Sequence, residues 1–137
     1  MSKLRKRIGR EEGFTLIELL IVLVILGILL AIAVPAYLGF KDKANNRAAE
    51  ADVRAAIPSA EAFYESAGTY VGMTTASLKA IDAGLSNAVS VVSNGTYPSA
   101  TAYCLTATVG NKTWSVQGPG AQGWYNSNNC TGTAVSP

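Results

Sequence analysis

Between Leu19 and Leu38 the chain runs for 20 residues without a charged side chain, an aliphatic stretch interrupted only by Gly27, Pro35 and Tyr37. Coiled as a helix at about 1.5 Å per residue, it is about 30 Å long, the hydrocarbon thickness of a bilayer. Such a segment reads as a membrane helix, and 137 residues then leave room for one further domain. Directly before it stands Glu18, a lone carboxylate at the rim of an apolar helix. Left charged and unpaired in lipid, a carboxylate costs about 3 kcal/mol, so residues of this kind have a partner and a function.

The charges ahead of the span predict its orientation. Residues 1–13 carry Lys3, Arg5, Lys6, Arg7 and Arg10 against Glu11 and Glu12, a net of +3. The remainder carries six basic and seven acidic residues, a net of −1, so the overall +2 says nothing about nucleic acid. Basic residues flanking one end of a span hold that end in the cytoplasm, which puts everything after Phe40 outside. Both cysteines, Cys104 and Cys130, fall in that outer part. In an oxidising compartment they pair; the alternative is two buried thiols.

An ordinary secretory signal places its apolar core before the cleavage site and loses it on processing. Here the plausible cut precedes the apolar run, which would survive. Gly13-Phe14-Thr15-Leu16-Ile17-Glu18 closely resembles the class III signal of type IV pilins and pseudopilins: glycine before the cut, phenylalanine after it, glutamate fifth in the mature chain. Pro35 and Tyr37 match as well. The resemblance covers the leader and the first helix, and it implies removal of residues 1–13 by a prepilin peptidase and methylation of the new Phe14 amine. It also implies that Glu18 of one subunit meets the Phe14 amine of its neighbour and sets the stagger between subunits. The helix dipole independently favours a carboxylate in the first turn. A carboxylate that merely reaches the headgroups is the bland alternative.

Pro35 removes a backbone donor and is expected to kink the helix or open it locally, with Gly39 extending the soft spot; packed pilin filaments lose helix near such a proline. Beyond Phe40, Val53, Ile57, Ala60 and Tyr64 fall at i, i+4, i+7 and i+11 on one face, broadened by Ala56 and Phe63. Ala44, Ala48, Ala51 and Ala55 offer a smooth surface to other helices, and Pro58 is expected to kink this half too. One helix from about Phe14 to Ala67 would end at Gly68. At about 80 Å it exceeds any compact domain of this size and needs other chains along it. Residues 75–83 predict a short helix capped by Thr74 or Thr75, burying Leu78, Ile81 and Leu85. Strands are expected at 89–93, 101–109 and 113–117, the last two a hairpin about Gly110-Asn111. Tyr103, Leu105, Ala107, Val109, Trp114 and Val116 should face the helix. Cys104 then points to the other side, where the tail bearing Cys130 must return. Gly118-Pro119-Gly120 and Gly123 make that tail loop-like, pinned by Trp124 and Tyr125.

The expected fold is α+β: a long N-terminal helix whose first half is hydrophobic and whose second half packs on a small antiparallel sheet. Its divisions are 1–13, a leader removed on maturation; 14–40, the transmembrane and filament-core helix; and 41–137, the globular domain with a disulfide-closed C-terminal loop. The chain has no histidine, the commonest general base and metal ligand, and no phosphate loop or zinc spacing. No enzyme activity, cofactor or metal is expected. No acidic residue follows Asp82, so the C-terminal half lacks the carboxylates usual in a calcium site. Major pseudopilins typically bind calcium there and lack a late disulfide, so this departure favours a pilin.

The resemblance therefore implies a structural subunit of a type IV pilus, serving adhesion, motility or DNA uptake. It would wait in the cytoplasmic membrane as a single-pass precursor and be moved by an assembly ATPase and membrane platform proteins into an extracellular helical homo-oligomer. Surfaces or DNA would then be contacted through the filament. The alternatives are a pseudopilin of a type II secretion or competence system, and a monomeric anchor displaying a small binding domain.

Overall fold

A computed structural model describes residues 13–137. The basic leader residues Lys3, Arg5, Lys6, Arg7 and Arg10, with Glu11 and Glu12, lie outside the described residues. The elements run α1 (Leu16–Ala67), α2 (Thr75–Ile81), β1 (Val89–Val91), β2 (Tyr103–Val109), β3 (Lys112–Gly118) and β4 (Gly123–Tyr125). The class is α+β. Internal contacts divide the chain after Gly39.

The first unit is the apolar part of α1. Its large side chains, from Phe14 to Leu38, are 48–83% exposed. The helix is long and apolar enough to cross a membrane. Pro35 leaves the carbonyl of Ala31 without its helical donor, yet the helical assignment continues through it, as it does through Pro58 in the second unit. Neither proline opens the helix locally in the single chain. One lost hydrogen bond is tolerated when the turns on either side remain intact.

The second unit, Phe40–Pro137, has its own core. Its sheet is a four-stranded antiparallel meander in the order β1-β2-β3-β4. Cross-strand partners Val91↔Leu105, Leu105↔Val116 and Val116↔Trp124 put these residues on one face, with Val89, Ala107 and Trp114 in the next rank. The period of two along each strand makes this face apolar throughout. Against it α1 presents Ala49, Val53, Ala56 and Ala60, all fully buried. The buried stripe therefore begins one turn before Val53. Ile57 is only half-buried, and Tyr64 is exposed. The expectation weighted the larger side chains of the helix. The bulk instead comes from the sheet, where Trp114, Leu105 and Tyr103 need alanines opposite them.

Gly68, at φ 70°, ends α1 in the left-handed region that a side chain would disfavour. Thr74 caps α2: its side chain accepts from the Ser77 N–H while Ser77 Oγ accepts from the Thr74 N–H. Leu78 and Leu85 are buried, but Ile81 is 45% exposed. The helix stops at Ile81, shorter than expected, and the chain turns away at Asp82 before that side chain can reach the core. Strand β1 is likewise shorter than expected.

Strand β4 was not foreseen, because three residues, the first of them a glycine, offer no alternation to read. Tyr125 pairs with Ser115 and Trp124 with Val116, and the Val135 N–H donates to the Trp124 carbonyl at 2.7 Å. The second sheet face is covered at its middle by the returning tail. Cys104 and Cys130 are bonded, S–S 2.01 Å, and the Cys130 N–H donates to Oγ of fully buried Ser115 at 3.2 Å.

Glu61 of α1 ties three segments together. Its carboxylate accepts the Tyr70 hydroxyl at 2.7 Å, the Tyr103 hydroxyl at 2.8 Å and the Gly120 N–H at 3.2 Å. Burial pushes this carboxyl up, but the three donors together outweigh it and hold Glu61 below the ordinary carboxylate value. Burial and the adjacent Glu61 push both tyrosine hydroxyls up. Glu50, 8% exposed, accepts from Arg47 at 2.9 Å and Arg54 at 3.1 Å. The Arg54 guanidinium lies 4.5 Å from the centre of the Trp124 ring, joining helix to sheet by a cation–π contact.

Candidate functional site

The sequence points to Gly13, Phe14 and Glu18 for processing and assembly. In the structure residues 13–15 precede α1 in irregular backbone, and Gly13 and Phe14 are exposed. A peptide bond in exposed, non-helical chain is accessible in a way that one inside a helix is not. Glu18 falls in the first turn of α1, as expected.

The surroundings of Glu18 add something that the sequence reading missed. Its Oε2 accepts from the Thr15 N–H and the Thr15 hydroxyl, each at 2.8 Å, while the Glu18 N–H donates to Thr15 Oγ1 at 3.3 Å. This reciprocal pair is a capping box with Thr15 as N-cap. The signal was legible as Thr15-x-x-Glu18 immediately before an apolar run. Glu18 thus has a partner within its own chain and closes the open end of its own helix. The carboxylate stands in the first turn, at the positive end of the helix dipole.

Behind this end runs an apolar surface: all of residues 16–40 are exposed. Gly27 and Ala31, four apart, share one face of it, as close helix contacts in lipid favour. The arrangement offers an accessible peptide bond, an acid at a helix tip and an apolar rod. Among the described residues no group of three or more His, Cys, Asp or Glu side chains is placed to hold a metal ion.

Residues 8–34 match the family described as the prokaryotic N-terminal methylation motif. In this segment the chain is similar to both type IV pilins and type II secretion core proteins. Its curated relatives come from both branches. Over 53 residues, 39% of this chain and 45% of the relative, it is 55% identical to the type IV narrow pilus major component PilA5 of Thermus thermophilus. It is 38% identical over 61 residues to the type IV major pilin protein PilA of Myxococcus xanthus, covering 44% of this chain and 28% of that one. Over 44 residues, 32% of this chain and 31% of the other, it is 48% identical to the type II secretion system core protein G of Aeromonas hydrophila. The matching stretch spans less than half the length of each of these relatives.

Proposed function

We propose that this chain is a structural subunit of a type IV pilus, most like a major pilin. A prepilin peptidase cuts between Gly13 and Phe14, and the Phe14 amine is methylated. The mature chain waits in the cytoplasmic membrane, N-terminus inward, held by 19–38. An assembly ATPase and membrane platform proteins then move it into an extracellular homo-oligomeric filament, through which surfaces or DNA are touched. The observation that carries this reading is the apolar half of α1, exposed along its whole length and joined to a unit that already has its own core. Lipid covers that surface in the precursor. Copies of the same helix cover it in the filament, so the burial lost on leaving lipid is regained. Head-to-tail contacts of this kind do not close, and they generate a helical fibre.

On cleavage the Phe14 N–H becomes an amine, a cation beside the carboxylate of Glu18. We assign Glu18 two successive partners: Thr15 in its own chain, and the Phe14 amine of a neighbour during assembly. Pro35 supplies the place where the helix bends or loosens under packing, and Pro58 a second. The Cys104–Cys130 bridge closes the domain that faces outward.

The test is intact mass of material sheared from cells. The expected species starts at Phe14, carries one methyl group and is two mass units short of the reduced form. A product that retains 1–13, or that purifies as a lone subunit, would sink the proposal. The similarity to the secretion protein of Aeromonas hydrophila supports a second reading, a pseudopilin. Long surface fibres by electron microscopy favour the pilus. Loss of secreted enzymes on deletion, with no fibre, favours the pseudopilin.

A further inference from the structure

On the second unit, the helix and the β2–β3 turn enclose an open polar groove of about 450 Å³. It is lined by Asp42, Lys43 and Asn46 from α1, Asn111 from the turn, Lys112 and Thr113 from the start of β3, and Asn126 from the tail. The turn is held against the helix at three points. Lys112 Nζ lies 3.7 Å from Asp42 Oδ2. The Trp114 indole N–H donates to Asn46 Oδ1 at 2.9 Å. Gly110, at φ 60°, sits so close to the Asn45 side chain that a Cβ there would overlap it. The indole bond also orients Asn46: its oxygen is taken, so its NH₂ remains to donate.

The groove is therefore rich in donors. Two ammonium groups and the amides of Asn46, Asn111 and Asn126 share it with one carboxylate, and that carboxylate already lies near Lys112. An occupant that suits it carries negative charge and several acceptor oxygens at one centre. Chain connectivity then narrows the source. Asp42 follows Leu38 by four residues, at most about 14 Å even in a fully extended chain. Leu38 is the last residue of the apolar run, and headgroups occupy roughly the 5–8 Å beyond each face of the hydrocarbon.

The geometry points to a lipid-headgroup site: while the chain is anchored in the membrane, this groove takes the phosphodiester of an anionic glycerophospholipid, with Lys43 and Lys112 as its cations. The inference rests on the membrane-held precursor proposed above. It adds a lipid-selective contact that must be given up when the subunit leaves the bilayer. Asp42 limits the attraction by competing for Lys112, which keeps that release possible.

The test uses the full-length chain in nanodiscs of phosphatidylcholine containing one part in five phosphatidylglycerol, with retained lipid counted by native mass spectrometry. The unaltered chain is expected to keep phosphatidylglycerol in excess of its share. The double variant Lys43→Gln/Lys112→Gln is expected to keep about 30-fold less, from about fivefold for each lysine near an anionic surface. Asp42→Asn should retain more than the unaltered chain, which a purely structural role for the Asp42–Lys112 pair does not predict. Equal retention by all three chains overturns the inference, as does inorganic phosphate displacing the lipid at millimolar concentration, which would mark the groove as a free-phosphate site. Failure to enter nanodiscs at all would instead overturn the membrane-held precursor, and the lipid site with it.

Discussion

Glu61 shows how much one residue holds. Its three donors come from the connector after α1, from β2 and from the turn leading to β4. Glu61→Gln keeps the shape but loses the charge assistance on two hydroxyl bonds. The expected cost is about 2 kcal/mol, measured by urea unfolding of the full chain in micelles. A double-mutant cycle with Tyr103→Phe should give a coupling energy well above experimental error, since the two groups share one bond. The pH dependence follows with its sign. Glu61 and Glu50 are held below the ordinary value of 4.5, so their contributions are present above that pH and are lost as pH falls through the folded-state values. Tyr70 and Tyr103 are pushed above the ordinary 10.0, so theirs are present below that pH and are lost as pH rises beyond it. Stability should be flat between these limits and fall on both sides, with a shallower acid limb in Glu61→Gln. An unfolding midpoint that does not change from pH 7 down to pH 3 would contradict this.

At the scale of the element, α1 combines two demands in one helix. Its first half needs an apolar surface all round; its second needs a stripe of alanines for the sheet. Its start is set by Thr15 and Glu18, and this separates two accounts of the glutamate. Thr15→Ala removes the hydroxyl of the cap, at a cost of about 1 kcal/mol to the first turn, and leaves the carboxylate in place. Glu18→Ala removes both cap and carboxylate. If the pairing with a neighbour's amine drives assembly, both variants are processed to Phe14, but only Glu18→Ala loses most of its filament yield. Equal yields from the two would mean that the glutamate works only as a cap. The count is made on sheared material by mass spectrometry and gel densitometry.

For the molecule as a whole, the Cys104–Cys130 bridge matters most for the second unit. It spans 26 residues of chain, including β3 and β4, and it covers the sheet face opposite the helix. In the chain-entropy description a loop of this length is worth about 3.5 kcal/mol. Cys104→Ser/Cys130→Ser is therefore expected to lower the urea midpoint by roughly that amount divided by the slope, with far-ultraviolet circular dichroism little changed. A midpoint unchanged on reduction would show that the tail is held by Ser115, Trp124 and Val135 without help. The core that this unfolding reports is the second unit's own, from Ala49 and Val53 of α1 to Trp124 of β4.

The membrane-length run, the acid at its tip, the phenylalanine after the glycine and the pairing of the two cysteines were all legible in the linear chain. Each depends on composition or on neighbours a few residues away, which a single strand of letters displays in full. So was the β2–β3 hairpin, because a glycine-asparagine turn between alternating strands is a local signal. The capping box was equally local and was overlooked beside the stronger reading of Glu18 as a partner for an amine. What tertiary structure alone decided is which side of α1 meets the sheet, that Ile81 stays outside, that Gly123–Tyr125 forms a strand, and that Glu61 gathers two tyrosines from 9 and 42 residues away. These outcomes turn on the volume of side chains arriving from distant segments. Alanine is buried here because tryptophan and leucine stand across from it, a fact about the space between elements that neither element's own sequence contains.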